Sequence, residues 1–199
     1  METSPAKNKD LHGSAPDTSH TALILIDVIN QMKFKGGKAL LSHALPMADR
    51  IHQLKKRVKE KGIPVIYVND NYGRWKSDFH QVVKQCLHEE APGAPISQLL
   101  EPEDDDYFVI KPKHSGFFST TLGTLLAYLN VERLILTGVQ TDICVLFTAN
   151  DAYMRDYQLH VPADCVASED PGESHHALRQ MKKVLSADIT PSQELDLDR

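Results

Sequence analysis

The hydrophobic positions of the chain form short apolar runs that alternate with longer amphipathic stretches. The runs are continuously apolar, as expected for strands covered on both faces, and the stretches have the periodicity of helices. The predicted strands cover 21–27, 63–68, 107–110, 133–137 and 158–161 (extending toward 166), with a sixth short strand at 188–190. The predicted helices cover 39–61, 78–88, 120–129, 141–157 and 170–185, and residues 91–95 are predicted to form a loop. This alternation predicts an α/β fold, in which a mostly parallel sheet lies between helices.

Several residues mark the ends of these elements. Pro46 falls inside the first predicted helix and should kink or restart it, whereas Gly62 stands where that helix should end. Asp170, Pro171 and Glu173 form the pattern of an N-cap, a first-turn proline and a capping box. The last long helix is therefore expected to begin there.

Length and composition are those of one domain with a sizeable core. The chain has 199 residues, of which 41% are hydrophobic and 25% charged. We expect the domain to cover residues 21–190, between a flexible polar tail at 1–20 and a short tail at 191–199. A formal net charge of −5 leaves no basic surface for nucleic acid or for a membrane. No apolar run reaches the roughly 20 residues of a membrane helix.

Three cysteines (Cys86, Cys144 and Cys165) are odd in number and widely spaced. They indicate neither a disulfide framework nor a zinc site, so we expect a reducing, cytoplasmic location.

Reactive side chains stand at the ends of three predicted strands. Asp27 closes the first strand, Lys111 closes the third, and Cys144 lies just after the fourth, near the start of a predicted helix. Sites in open parallel sheets form at the carboxyl ends of the strands. Separately, these residues have ordinary interpretations: a turn-forming aspartate, a surface lysine and a small buried hydrophobe. Their joint placement favours one pocket that holds a carboxylate, an ammonium group and a thiol.

The three side chains suit covalent catalysis. A cysteine near a helix start and a lysine should have a lowered pKa and favour the thiolate. Asp27 could take the thiol proton and pass it to a leaving amine, while Cys144 attacks a carbonyl to give a thioester. Backbone amides around 140–144 are placed to bind the oxyanion.

Motifs of other enzyme classes do not occur in the sequence. It has no His-Glu-x-x-His, no Gly-x-Gly-x-x-Gly after the first strand, no Gly-x-x-x-x-Gly-Lys and no Gly-x-Ser-x-Gly. We therefore expect no metal and no cofactor.

The residues around the three candidates resemble the isochorismatase-like cysteine hydrolase superfamily, which includes nicotinamidases and N-carbamoylsarcosine amidase. The resemblance implies a three-layer Rossmann-like fold with a sheet of about six strands, and an Asp27–Lys111–Cys144 catalytic triad. It also implies a cis peptide at Val139–Gln140 beside the oxyanion hole, and assembly as homodimers or homotetramers. The matching segments are residues 23–30, 109–117, 137–145 and 147–152.

Departures from the family pattern bear on the substrate. Residues 68–75 lack the Asp-x-His pair that binds metal in nicotinamidases, which disfavours nicotinamide. Trp75 in this loop either packs in the structure or contacts substrate. The leading hypothesis is hydrolysis of a small amide, ureido or carbamoyl C–N bond. The alternatives are vinyl-ether hydrolysis of isochorismate, which does not need Cys144, and a binding protein without turnover.

Overall fold

The computed structural model describes residues 18–71, 78–88 and 90–198. Most of the predicted N-terminal tail, together with Trp75, lies outside these ranges. The strands are β1 (Thr21–Ile26), β2 (Val65–Asp70), β3 (Tyr107–Lys111), β4 (Arg133–Val139), β5 (Gln158–His160) and β6 (Val166–Ala167). The α-helices are α1 (Gly37–Glu60), α2 (Phe79–Cys86), α3 (Ala94–Leu99), α4 (Leu122–Leu129), α5 (Leu146–Tyr153) and α6 (Pro171–Val184).

The strands form one parallel sheet with β1 at its centre. The order is β3-β2-β1-β4-β5, and β6 pairs with the end of β4. Leu23 is in register with Val65 of β2 on one side and with Ile135 of β4 on the other. The mostly parallel, six-stranded sheet predicted from the sequence is confirmed. Parallel pairing brings the carboxyl ends of β1 to β4 to the same edge.

Alternate residues of β1 point to opposite layers of helices. Leu23 and Leu25 pack in a core with α1, α2 and α3, whereas Ala22, Ile24 and Ile26 pack in a core with α4, α5 and α6. Every residue of β1 is buried, because helices cover the sheet on both faces. The three-layer arrangement is thereby confirmed.

Helix α1 continues through Pro46, so the expected restart was wrong. Its apolar face is buried along the whole length, which stabilises one continuous helix although the proline lacks an N–H donor. The helix ends as predicted at Gly62, whose φ of 67° is left-handed. The amides of Gly62 and Ile63 donate to the carbonyls of Lys59 and Val58, which completes a Schellman motif.

Three other local predictions differ from the structure. The predicted loop at 91–95 contains the start of α3. β5 stops at His160 and β6 is a separate strand, because Pro162 between them cannot donate a ladder hydrogen bond. The expected strand at 188–190 is reduced to a single bridge between His160 and Asp188.

Residues after the last bridge pack on α1. The guanidinium of Arg57 donates to the carbonyls of Ser192 and Leu195, at 2.6 and 3.1 Å. Within the described part of the chain, no helix is both long enough and apolar enough to cross a membrane.

Candidate active site

The predicted carboxylate and ammonium group meet at the carboxyl edge of the sheet. Asp27 directly follows β1 and Lys111 is the last residue of β3, with β2 between these two strands. Asp70, the last residue of β2, is in register with Lys111. Two carboxylates therefore lie beside one lysine.

Lys111 is the centre of this group and is fully buried. Its Nζ lies 2.8 Å from Asp27 Oδ2 and 3.7 Å from Asp70 Oδ2. It donates hydrogen bonds to Cys144 Sγ at 3.5 Å and to the carbonyl of Lys113 at 3.2 Å. The structure thus brings together Asp27, Lys111 and Cys144, which lie at or just after the ends of β1, β3 and β4.

The backbone fixes the carboxylate of Asp27. Asp27 has a φ of 52°, in the left-handed region that aspartate tolerates better than most residues. Its own amide donates to the carbonyl of Val68, and the amide of Asp70 donates to Asp27 Oδ1 at 2.7 Å. Asp27 Oδ2 is left facing Lys111.

Cys144 lies in one π-helical turn, Thr141–Val145, between β4 and α5. The sequence predicted a continuous helix from 141, but α5 begins at Leu146. The peptide bond between Val139 and Gln140, just before the turn, is cis. The amides of Ile143 and Val145 both donate to the carbonyl of Gln140. The amide of Ile143 is therefore already engaged within the protein.

Thr148, which is buried on α5, joins Cys144 to the segment that follows β3. Its hydroxyl donates to the carbonyl of Cys144 at 2.7 Å and accepts from the amide of Gly116 at 3.0 Å. One side chain thus connects the segment after β3 to the turn that carries Cys144.

Burial dominates the electrostatics of the site. It raises the pKa of Cys144 to about 12; the charge of Asp27 acts in the same direction, and Lys111 opposes both. Burial also raises the pKa of Asp27 above 3.8, against the opposing charge of Lys111. The pKa of Lys111 is raised, because the attraction of Asp27, Cys144 and Asp70 outweighs the effect of burial. The expected lowering of the Cys144 pKa was therefore wrong, because burial raises it.

Sequence reasoning missed three residues of the site: Asp70, His114 and Thr148. Asp70 ends a strand, so the rule that selected Asp27 and Lys111 could have found it. His114 Nδ1 lies 3.9 Å from Cys144 Sγ, and only the folded path after β3 brings it there. Trp75 falls outside the described residues. In the described ranges, no three His, Cys, Asp or Glu side chains are grouped as a metal site requires.

The fold and the site define an α/β protein with an Asp–Lys–Cys group at the carboxyl edge of a parallel sheet. The sequence model of the isochorismatase domain matches residues 21–194. The chain belongs to the isochorismatase family.

Relatives and solved structures agree with this assignment. An uncharacterized isochorismatase family protein of Bacillus subtilis, YaaI, is 41% identical over 87% of this chain and 95% of its own length. The ureidoacrylate amidohydrolase RutB of Methylorubrum extorquens is 27% identical over 85% of this chain and 77% of its own. The crystal structure of N-carbamoylsarcosine amidase from Thermoplasma acidophilum superposes with a TM-score of 0.70 at 25% identity. That superposition covers 89% of this chain and 99% of the amidase.

Proposed function

We propose that this protein is a cysteine hydrolase that cleaves a small amide, ureido or carbamoyl C–N bond through a thioester on Cys144. The observation that carries the proposal is the contact of one buried lysine with both a carboxylate and a thiol, at 2.8 and 3.5 Å. A nucleophile, a proton acceptor and a fixed cation are the groups that this chemistry requires.

The resting protonation states define the first step. Burial raises the pKa of Cys144, which favours loss of the thiol proton during the attack of the sulfur rather than before it. Asp27 takes this proton and then gives it to the departing nitrogen, and the raised pKa of this carboxyl suits both transfers. Lys111 stays protonated and stabilises the thiolate that forms during attack.

The oxyanion of the tetrahedral intermediate is assigned to the turn that follows the cis peptide of Val139–Gln140. Since the amide of Ile143 donates to Gln140, we assign the oxyanion to the amide of Cys144 itself. Trp75 remains a candidate for substrate contact. We also propose that the protein assembles as a homodimer or homotetramer.

Two relatives suggest the substrate class. Ureidoacrylate and N-carbamoylsarcosine, the compounds named for RutB and for the Thermoplasma amidase, both carry a carbamoyl group on nitrogen. By analogy, the first compounds to test here are small N-carbamoyl acids.

The test is release of ammonia from a panel of small amides and N-carbamoyl acids, with mass spectrometry of the protein during turnover. The parent protein should release ammonia and carry an acyl group on Cys144, whereas Cys144→Ala should do neither. Full amide hydrolysis by Cys144→Ala would exclude a thioester mechanism.

Vinyl-ether hydrolysis of isochorismate is the second candidate. In this reaction Asp27 would act in its protonated form and protonate the vinyl ether without help from the thiol, and burial shifts the pKa of Asp27 upward, in the direction that favours this form. Cleavage of isochorismate that persists in Cys144→Ala and disappears in Asp27→Asn would select it. A protein that acts on neither class and binds these compounds unchanged would be a binding protein.

A further inference from the structure

A side chain other than Lys111 also contacts the sulfur of Cys144. His114 Nδ1 lies 3.9 Å from Cys144 Sγ, and the imidazole packs against the ring of Phe147 with 5.4 Å between centroids. Both rings are exposed, and Phe147 retains 53% of its accessible surface. The imidazole of His114 therefore lies beside the sulfur, in addition to the buried ion pair of Asp27 and Lys111.

The position of His114 is fixed by its neighbours in sequence. The hydroxyl of Ser115 donates to the carboxylate of Asp151, and the amide of Gly116 donates to Thr148. Asp151 and Thr148 both belong to α5, the helix that follows the Cys144 turn. The segment that carries His114 is thus attached to the same helix as the nucleophile.

The ionisable side chains around the sulfur differ in their exposure to solvent. Asp27 and Lys111 are buried, with 6% and 0% of their surface exposed, whereas His114 is exposed. A thioester is planar at the acyl carbon, so water can attack the face opposite to the buried pair. His114 is exposed and its Nδ1 lies 3.9 Å from Sγ, so its imidazole is placed to accept a proton from such a water.

We propose that His114 is a catalytic residue of the second half-reaction: it is the base that activates water against the thioester on Cys144. The inference rests on the proposed function, because it requires an acyl group on the sulfur. Asp27 then serves the first half-reaction and His114 the second.

The proposed step balances in atoms and charge. The imidazole of His114 takes one proton from water as the water oxygen bonds to the acyl carbon. The carbon–sulfur bond then breaks and leaves its electron pair on the sulfur, which takes that proton back from the imidazolium. The products are the free acid and the thiol of Cys144.

The experiment uses p-nitrophenyl acetate, an activated ester that acylates thiols whatever the natural substrate is. The parent protein should release a burst of p-nitrophenolate as Cys144 is acetylated, followed by a slower steady phase set by hydrolysis of the thioester. His114→Gln should keep the burst and slow the steady phase by about 100-fold, the contribution typical of a general base. Acetylated Cys144 should then accumulate, as mass spectrometry would show.

Two controls separate chemistry from structure. His43→Gln, at an exposed histidine on α1, should behave like the parent protein. Hydroxylamine attacks thioesters without a general base, so it should restore the steady phase of His114→Gln, whereas it would not restore a variant in which acylation of Cys144 had failed.

An unchanged steady phase in His114→Gln would overturn the assignment of His114 and leave the proposed function standing. A parent protein without a burst and without acetylated Cys144 would overturn both.

Discussion

Lys111 and Asp27 form a buried ion pair, with 2.8 Å between Nζ and Oδ2 and no part of the lysine exposed. Taking both charges out of water is unfavourable, so each stabilises the other and neither is tolerated alone. Asp70, 3.7 Å from the same Nζ, adds a second negative charge on the side of β2. The pair therefore matters for stability as well as for the proposed chemistry.

Lys111→Met should abolish turnover and lower the free energy of unfolding by about 3–5 kcal/mol, because it leaves Asp27 buried without a partner. Asp27 can reduce this loss by taking up a proton. The loss should therefore grow as pH rises through the raised pKa of Asp27, which removal of Lys111 would raise further. Urea denaturation at several pH values measures both effects.

Matched variants identify the cause. Asp27→Asn combined with Lys111→Met should recover part of the lost stability, since no buried charge remains. Lys113→Met should keep most of the activity, because the Lys113 side chain is exposed and only its carbonyl reaches Lys111. Equal losses in the Lys111 and Lys113 variants would contradict the assignment of Lys111.

Cys144 should be a poor target for iodoacetamide in the resting protein, because its pKa is raised to about 12 and little thiolate exists at pH 8. Asp27→Asn removes a charge that raises this pKa, so it should speed alkylation of Cys144 while it abolishes hydrolysis. Peptide mapping after timed exposure separates Cys144 from the buried Cys86 and Cys165. Slower alkylation in Asp27→Asn would contradict this account of the thiol.

The pH dependence of hydrolysis should reflect the ionisation of Asp27. Asp27 must be ionised to accept the thiol proton, so kcat/KM should fall as the pH drops through the pKa of Asp27. That limb should lie above pH 3.8, because burial raises this pKa. A profile without an acidic limb above pH 3.8 would exclude Asp27 as the proton acceptor.

Two glycines with positive φ should respond differently to alanine. Gly62 has a φ of 67° and open space around the position of a Cβ, so Gly62→Ala should lower the free energy of unfolding by only about 1 kcal/mol. Gly138 has a φ of 111°, and a Cβ there would overlap the carbonyl oxygen of Ile26 in the neighbouring strand. Gly138→Ala should therefore lower the free energy of unfolding by about 3 kcal/mol or more. Thermal unfolding of both variants would test this, and similar melting temperatures would contradict it.

Much of the fold could be predicted because its signals are local. The continuous apolar run of β1 and the glycine after α1 indicate a buried strand and a helix end without reference to the rest of the chain. The continuation of α1 through Pro46 and the separation of β5 from β6 could not be predicted. They depend on what packs against α1 and on which strand each short segment meets.

The candidate site divides in the same way. Asp27 and Lys111 end apolar strands, so one rule places both at the same edge of the sheet. His114 and Thr148 are brought to Cys144 by the turn after β3 and by α5, and the rule of strand ends selects neither residue. The pKa of Cys144 was predicted in the wrong direction, because the sequence shows its neighbours but not how deeply they are buried.

Thr148→Val tests whether the framework around Cys144 is needed for activity. Valine has the shape of threonine without its hydroxyl, so the variant loses the bonds to Gly116 and to the carbonyl of Cys144. The amide of Gly116 is then buried without its partner, which should lower the free energy of unfolding by about 1–3 kcal/mol. Because both the segment of His114 and the turn of Cys144 lose an anchor, kcat should fall more than KM rises.

Thr148→Ser is the matched control, since it keeps the hydroxyl and removes only a methyl group. It should retain most of the activity while the valine variant does not, and steady-state kinetics with p-nitrophenyl acetate measures both. If the serine variant lost as much activity as the valine variant, packing of the methyl group would be the cause. The two hydrogen bonds of Thr148 would then have no part in aligning the nucleophile.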